Sequence, residues 1–175
     1  GSTFWFTLPL EQAQSLPAVP YPGELAGRRV LVVDDNATNA EILDYHAQAV
    51  GMRSATASDG LAGLEQLRQA ARDGNPFELA IIDMKMPRMD GLALAAAVRN
   101  DPALAGLRIV LVTSLHSTDE LTRAREAGIS AYLSKPVRRH ELYRALAQAV
   151  GGVVTEPAPN STPGAALRLN CRVLM

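Results

Sequence analysis

Between residues 28 and 150, five strand-length apolar runs alternate with five segments of helix length, and that alternation leaves the fold little freedom. RRVLVVDD precedes 38–50, RSATAS precedes 60–72, FELAIID precedes 91–99, LRIVLVTS precedes 119–127, and AYLS precedes 138–150. Strand–helix units in succession build a parallel sheet, because each helix returns the chain to the edge where the next strand starts. The runs at 30–33, 80–82 and 109–112 are apolar without a break, as in strands covered on both faces. The expected fold is α/β: a doubly wound, five-stranded parallel sheet with helices on both faces.

In open sheets of this kind the active crevice lies at the carboxyl ends of the strands. Strand one ends in Asp34 and Asp35, strand three in Asp83, strand four in Thr113 and Ser114, and strand five in Ser134, Lys135 and Pro136. Each has a local explanation when taken alone. An Asp pair after a strand caps a helix, a strand-end Thr bonds its own backbone, and a lysine is commonly a solvated charge. Their convergence on one sheet edge is what points to a site. Carboxylates a few ångströms apart repel by roughly 4 kcal/mol per pair at an effective dielectric near 20, so such a cluster calls for a cation. Oxygen donors without His or Cys suit a hard ion such as Mg²⁺. A carboxylate can also act as a nucleophile and form an acyl phosphate. Lys135 would then offset charge on the phosphoryl group, and the Thr113 hydroxyl would bond one of its oxygens.

Composition excludes little else. The formal charge is −1 and gives no electrostatic case for nucleic acid or for direct membrane contact. A single cysteine, Cys171, forbids an internal disulfide and favours a reducing, cytoplasmic setting. No apolar run is long enough to span a bilayer. His46, His116 and His140 are scattered and read as solvated surface, and Met84, Met86 and Met89 as packing around the loop after strand three.

VLVVDDN, IIDMKMPRMDG, VTS and YLSKP, in that order and spacing, resemble the response-regulator receiver domain over about residues 28–150. The resemblance implies a flavodoxin-like receiver fold with Asp83 as phosphoacceptor. It implies that Asp35, Asp83 and the Lys85 carbonyl ligate Mg²⁺, with Asp34 assisting through water. Thr113 would move to bind the phosphoryl group, Lys135 would pair with it, and Tyr132 would change rotamer on activation. The Lys135–Pro136 bond is one the family often holds cis, and Gly91 would open the helix after the phosphorylated strand. A lysine at position 85 sits where the family's side chains affect phosphoryl hydrolysis. The readout surface would be 119–150, carrying Arg123, Arg125, Arg138, Arg139 and Arg144.

The flanks suggest context. Residues 1–10, GSTFWFTLPL, resemble the last strand of the ATP-binding domain of sensor histidine kinases, and proline-rich 11–27 reads as a linker. A second low-complexity linker covers 151–169, and the close at 170–175 echoes strand one as the start of a second receiver. The expected parent is a hybrid histidine kinase with tandem receivers. The phosphodonor would be its kinase core or a histidine phosphotransfer domain, and a neighbouring receiver a further partner. The rival reading from another class is a docking or inhibitory module that holds the kinase core and carries no phosphate. A related phosphohydrolase is disfavoured because no general-acid Asp stands two residues beyond Asp83, and a dinucleotide-binding domain because no glycine-rich loop follows strand one.

Overall fold

Polar caps mark where the helices Ala37–Ala49, Gly60–Arg72 and Gly91–Arg99 begin. In the structure, a computed structural model that describes residues 22–114 and 128–151, Asn36 accepts from the Thr38 and Asn39 amides at 3.0 and 3.2 Å. Asp59 accepts from Leu61 and Ala62 at 2.9 and 3.0 Å, and Asp90 from Ala93 at 2.7 Å. Each satisfies amides that a first helical turn leaves without partners. The elements in chain order are α1 (Pro22–Leu25), β1 (Arg29–Val33), α2 (Ala37–Ala49), β2 (Arg53–Ala57), α3 (Gly60–Arg72) and β3 (Leu79–Asp83). Then come α4 (Gly91–Arg99), a 3-10 turn at Pro102–Leu104, β4 (Arg108–Thr113), β5 (Ala131–Ser134) and α5 (Arg139–Ala149). Expected segments 1–10, 119–127, 152–169 and 170–175 lie outside the described residues, as do His116, Arg123 and Arg125.

All five strands pair in parallel in the order β2-β1-β3-β4-β5. The chain winds outward in one direction from β1 and in the other from β3, so the strand order reverses between those two neighbours. Strand side chains alternate faces, and the continuous apolar runs therefore supply two cores. Val30, Val32, Leu79, Ile81, Val110 and Val112 meet Leu43, Ala47, Leu142 and Leu146 on one face. Leu31, Val33, Ala80, Ile82, Ile109 and Leu111 meet Leu64, Leu67, Leu94 and Val98 on the other. Every residue of the three runs is fully buried, as strands covered on both faces require.

Two expectations need correction. The linker read through residue 27 is not all linker. Its end folds into α1, and Leu25 is fully buried in the core shared with α5, because the lower end of that core would otherwise open to water. His46 is not solvated surface either. It is half-buried with its ring edge-on to Tyr143 at 6.3 Å between centroids, and its carbonyl accepts from the Tyr143 hydroxyl at 3.2 Å. Its neighbour Ala47 belongs to the core, which brings residue 46 to the edge of the packed face. Burial, with the positive charge of Arg139 adding, lowers its imidazole below the usual value. His140 is exposed as expected.

If α1 closes the core, Leu25→Ala removes a fully buried side chain and should cost about 2–5 kcal/mol of unfolding free energy. Urea unfolding checks this, and the loss should be far larger than that from Glu24→Ala on the exposed side of the same turn.

Candidate functional site

The switch point between β1 and β3 sets adjacent strand ends beside each other, and their acidic residues meet there. Beyond β1, the Asp34 amide donates to Ala57 O of β2 at 3.2 Å, and its Oδ1 accepts from the Asn36 amide at 2.9 Å. Asp83 pairs with Val112 at the last step of the β3–β4 ladder, and the Met84 amide continues it to Val112 O at 2.8 Å. The Lys135 amide donates to Thr113 O at 2.8 Å, one step past the β4–β5 ladder. Register alone thus places Asp34, Asp83, Thr113 and Lys135 along one edge.

Their side chains converge. One carboxylate oxygen from each of Asp34, Asp35 and Asp83 lies within 4.8 Å of the other two. Asp34 is 2% exposed, Asp83 6% and Thr113 7%, whereas Asp35 is exposed. The Lys135 ammonium stands 2.9 Å from Asp83 Oδ1 and 3.4 Å from Asp34 Oδ2. Burial is the largest influence on Asp83 and raises its carboxyl above the usual value, the Asp34 charge adding to it, against the lowering contact with Lys135. Burial also works against the Lys135 ammonium. Its hydrogen bond and charge attraction to Asp83, joined by those of Asp34, outweigh that and hold its pKa above the ordinary lysine value. Lys135 is thus held as an ammonium against the buried Asp83 carboxyl. An all-oxygen cluster of this kind, open on the Asp35 side, is suited to a hard divalent cation.

Packing leaves the Asp83 backbone little freedom. A Cβ on Gly91 would lie 2.5 Å from Asp83 O and 2.9 Å from Leu111 Cδ1, so only glycine lets α4 start this close. Gly91 does open that helix, as expected. Met84 and Met86 are buried and Met89 half-buried beneath the loop. Lys85 is exposed, Tyr132 is half-buried on β5, and the Lys135–Pro136 bond is cis. Arg138, Arg139 and Arg144 are exposed.

Two charged groups near this loop stand outside the site expected from the sequence. Asp59, at the carboxyl end of β2, is 6% exposed and pairs with Arg88 of the β3–α4 loop. The signal for Asp59 was the same strand-end rule that found the other acids. For Arg88 there was none, since a lone loop arginine has no period.

The model of the response regulator receiver domain family matches residues 30–147. The sensor histidine kinase AruS of Pseudomonas aeruginosa is 35% identical over 152 residues, covering 85% of this chain and 14% of that protein. The autoinducer 2 sensor kinase/phosphatase LuxQ of Vibrio vulnificus is 32% identical over 149 residues, covering 82% of this chain and 17% of that protein. The chain thus spans about a sixth or less of the length of these relatives. Among solved structures, the Vibrio cholerae chemotaxis protein CheY4 superposes with a TM-score of 0.65 at 27% identity, covering 71% of this chain and 99% of that one. The signal receiver domain of a histidine kinase from Syntrophus aciditrophicus gives 0.64 at 25% identity, covering 75% and 96%.

The raised Asp83 pKa carries a sign. A carboxyl whose folded pKa exceeds its usual 3.8 costs stability above that folded value, and the cost is relieved as pH falls through it. In chelator at neutral pH, Asp83→Asn should therefore unfold at higher urea than wild type, and the gap should close as pH falls through the raised folded value toward 3.8. A variant less stable than wild type at neutral pH would mean that the Lys135 contact outweighs burial.

Proposed function

This chain belongs to the response-regulator receiver family, and on that premise we propose that it takes a phosphoryl group from a phosphohistidine onto Asp83 in a Mg²⁺-dependent reaction. The observation that carries the reading is the Lys135 ammonium in contact with both Asp83 and Asp34, beside a third carboxylate, at the sheet's switch point. A carboxylate oxygen of Asp83 attacks phosphorus, the P–N bond to the donor imidazole breaks, and the departing nitrogen keeps the bonding pair and takes up a proton from solvent. An acyl phosphate results. Bound Mg²⁺, held by Asp34, Asp35, Asp83 and the Lys85 carbonyl, would offset charge on the phosphoryl oxygens. Lys135 is placed to exchange its contact with Asp83 for one with a phosphoryl oxygen, and the buried Thr113 hydroxyl to bond another. Tyr132, on the same strand as Lys135, is the aromatic we assign to the rotamer switch.

The donor must bring its imidazole to this edge. A groove of about 510 Å³ opens beside Asp34 and Lys135, walled by Ile42, Leu43, Val112, Pro136 and Val137. Ile42 and Tyr45 on the same helix are 49% and 70% exposed, enough apolar surface for a donor helix of a kinase core or histidine phosphotransfer domain. The AruS and LuxQ alignments run longer than the 30–147 receiver match, which supports a hybrid histidine kinase as parent. In that arrangement 1–10 ends a kinase ATP-binding domain, 11–21 and 151–169 act as linkers around a receiver that begins with α1 at Pro22, and 170–175 begins a neighbouring receiver. No described helix is long and apolar enough to cross a membrane.

Incubation with acetyl phosphate and Mg²⁺ should add one phosphoryl group (about 80 Da from its composition), read by intact-mass spectrometry. Chelator or Asp83→Asn should abolish the adduct. No adduct on folded wild type would favour a docking module that carries no phosphate. Once phosphorylated, the exposed Lys85 beside the acceptor should set the decay rate, so Lys85→Asn should change the dephosphorylation constant severalfold in a mass-resolved time course. Equal constants would remove Lys85 from that role.

A further inference from the structure

The loop 84–90 is held from outside the acid cluster as well as from within it. Inside, the Met84 amide bonds Val112 O at 2.8 Å and the Gly91 amide bonds Met84 O at 3.0 Å. Outside, Arg88 holds a φ of 66°, a region that side-chain-bearing residues seldom adopt and that persists only when the surroundings fix it. What fixes it is the turn between β2 and α3. The Arg88 guanidinium pairs with Asp59, whose carboxylate is itself held by the Leu61 and Ala62 amides at 2.9 and 3.0 Å. The next residue, Met89, presses on Gly60, where a Cβ would come within 2.6 Å of Met89 O. α3 therefore fixes Asp59, and Asp59 with Gly60 fixes Arg88 and Met89.

Lys85, whose carbonyl belongs to the ligand set proposed above, lies on this loop three residues before Arg88. Resting on that metal reading, we propose that the Asp59–Arg88 pair sets the cation affinity of the acid cluster by holding loop 84–90, and the Lys85 carbonyl with it, in the ligating position. Both are positioning residues. The Asp59 carboxylate is engaged by α3 and by Arg88, and the Arg88 guanidinium has no lone pair to offer a cation.

The sign of the effect separates this role from simple charge. Through the field alone, loss of the Arg88 cation would tighten Mg²⁺ and loss of the Asp59 anion would weaken it. A tether predicts that both losses weaken binding, by the same factor. The experiment is Mg²⁺ titration calorimetry on the full chain, comparing wild type, Arg88→Ala, Asp59→Asn and the double variant, with urea unfolding of each. Asparagine keeps an oxygen for the α3 cap, so Asp59→Asn stays informative should Arg88→Ala fold poorly. The expected result is a Kd raised about tenfold in each single variant, with no further rise in the double. Unchanged affinity, opposite signs in the two variants, or losses that multiply in the double would overturn the tether alone. A folded wild type that takes up no Mg²⁺ would overturn the metal reading and the tether with it.

Discussion

Three carboxylates at one sheet edge repel, and the rest of the site is arranged around that repulsion. Lys135 answers part of it by standing between Asp34 and Asp83 at 3.4 and 2.9 Å. One ammonium against three anions leaves the cluster short of positive charge, and burial sharpens the shortage at Asp83. A site left in that condition has a built-in affinity for further positive charge. The chemistry proposed for the chain follows from this imbalance more than from any single residue.

Such an imbalance can be held only by a rigid frame. The frame is the central trio β1, β3 and β4, whose runs 30–33, 79–82 and 109–112 are fully buried. Moving any of these strand ends would open both cores at once, one lined by α2 and α5, the other by α3 and α4. Stability and function are thus coupled through the same strands, with the cores holding the backbone that holds the charges.

The sequence disclosed the frame readily because its signals are periodic. Helices 60–72 and 91–99 match α3 and α4 end to end, and 38–50 and 138–150 agree with α2 and α5 within one residue at each end. The acid cluster was legible for a related reason: parallel strands bring their ends to one edge whatever their order, so strand-end polar residues can be pooled without knowing the topology. What escaped was non-periodic. A four-residue helix gives no repeat, and the prolines around it marked a linker, so the burial of Leu25 could not be foreseen. His46 looked solvated because its partner Tyr143 is 97 residues away. Asp59 lay at a strand end and was open to the same rule as Asp34 and Asp83. Its link to Arg88 depends on how a loop turns, and no spacing encodes that.

The two sides of the site differ in how much they can yield. On the β3–α4 side, Gly91 packs so closely on Asp83 that even a methyl group would collide, and Arg88 and Met89 are fixed to α3. That side can define where a ligand sits but cannot retreat to admit one. On the β4–β5 side, Thr113 and Lys135 meet through a backbone bond at the end of a ladder, and Tyr132 is half-buried. If Asp83 acquires a phosphoryl group, as proposed, its oxygens would need new donors, for which the proposal names Thr113 and Lys135. A rearrangement that begins at Asp83 would then pass first to β4 and β5, which carry those two groups, while close packing fixes the Asp83 backbone against Gly91.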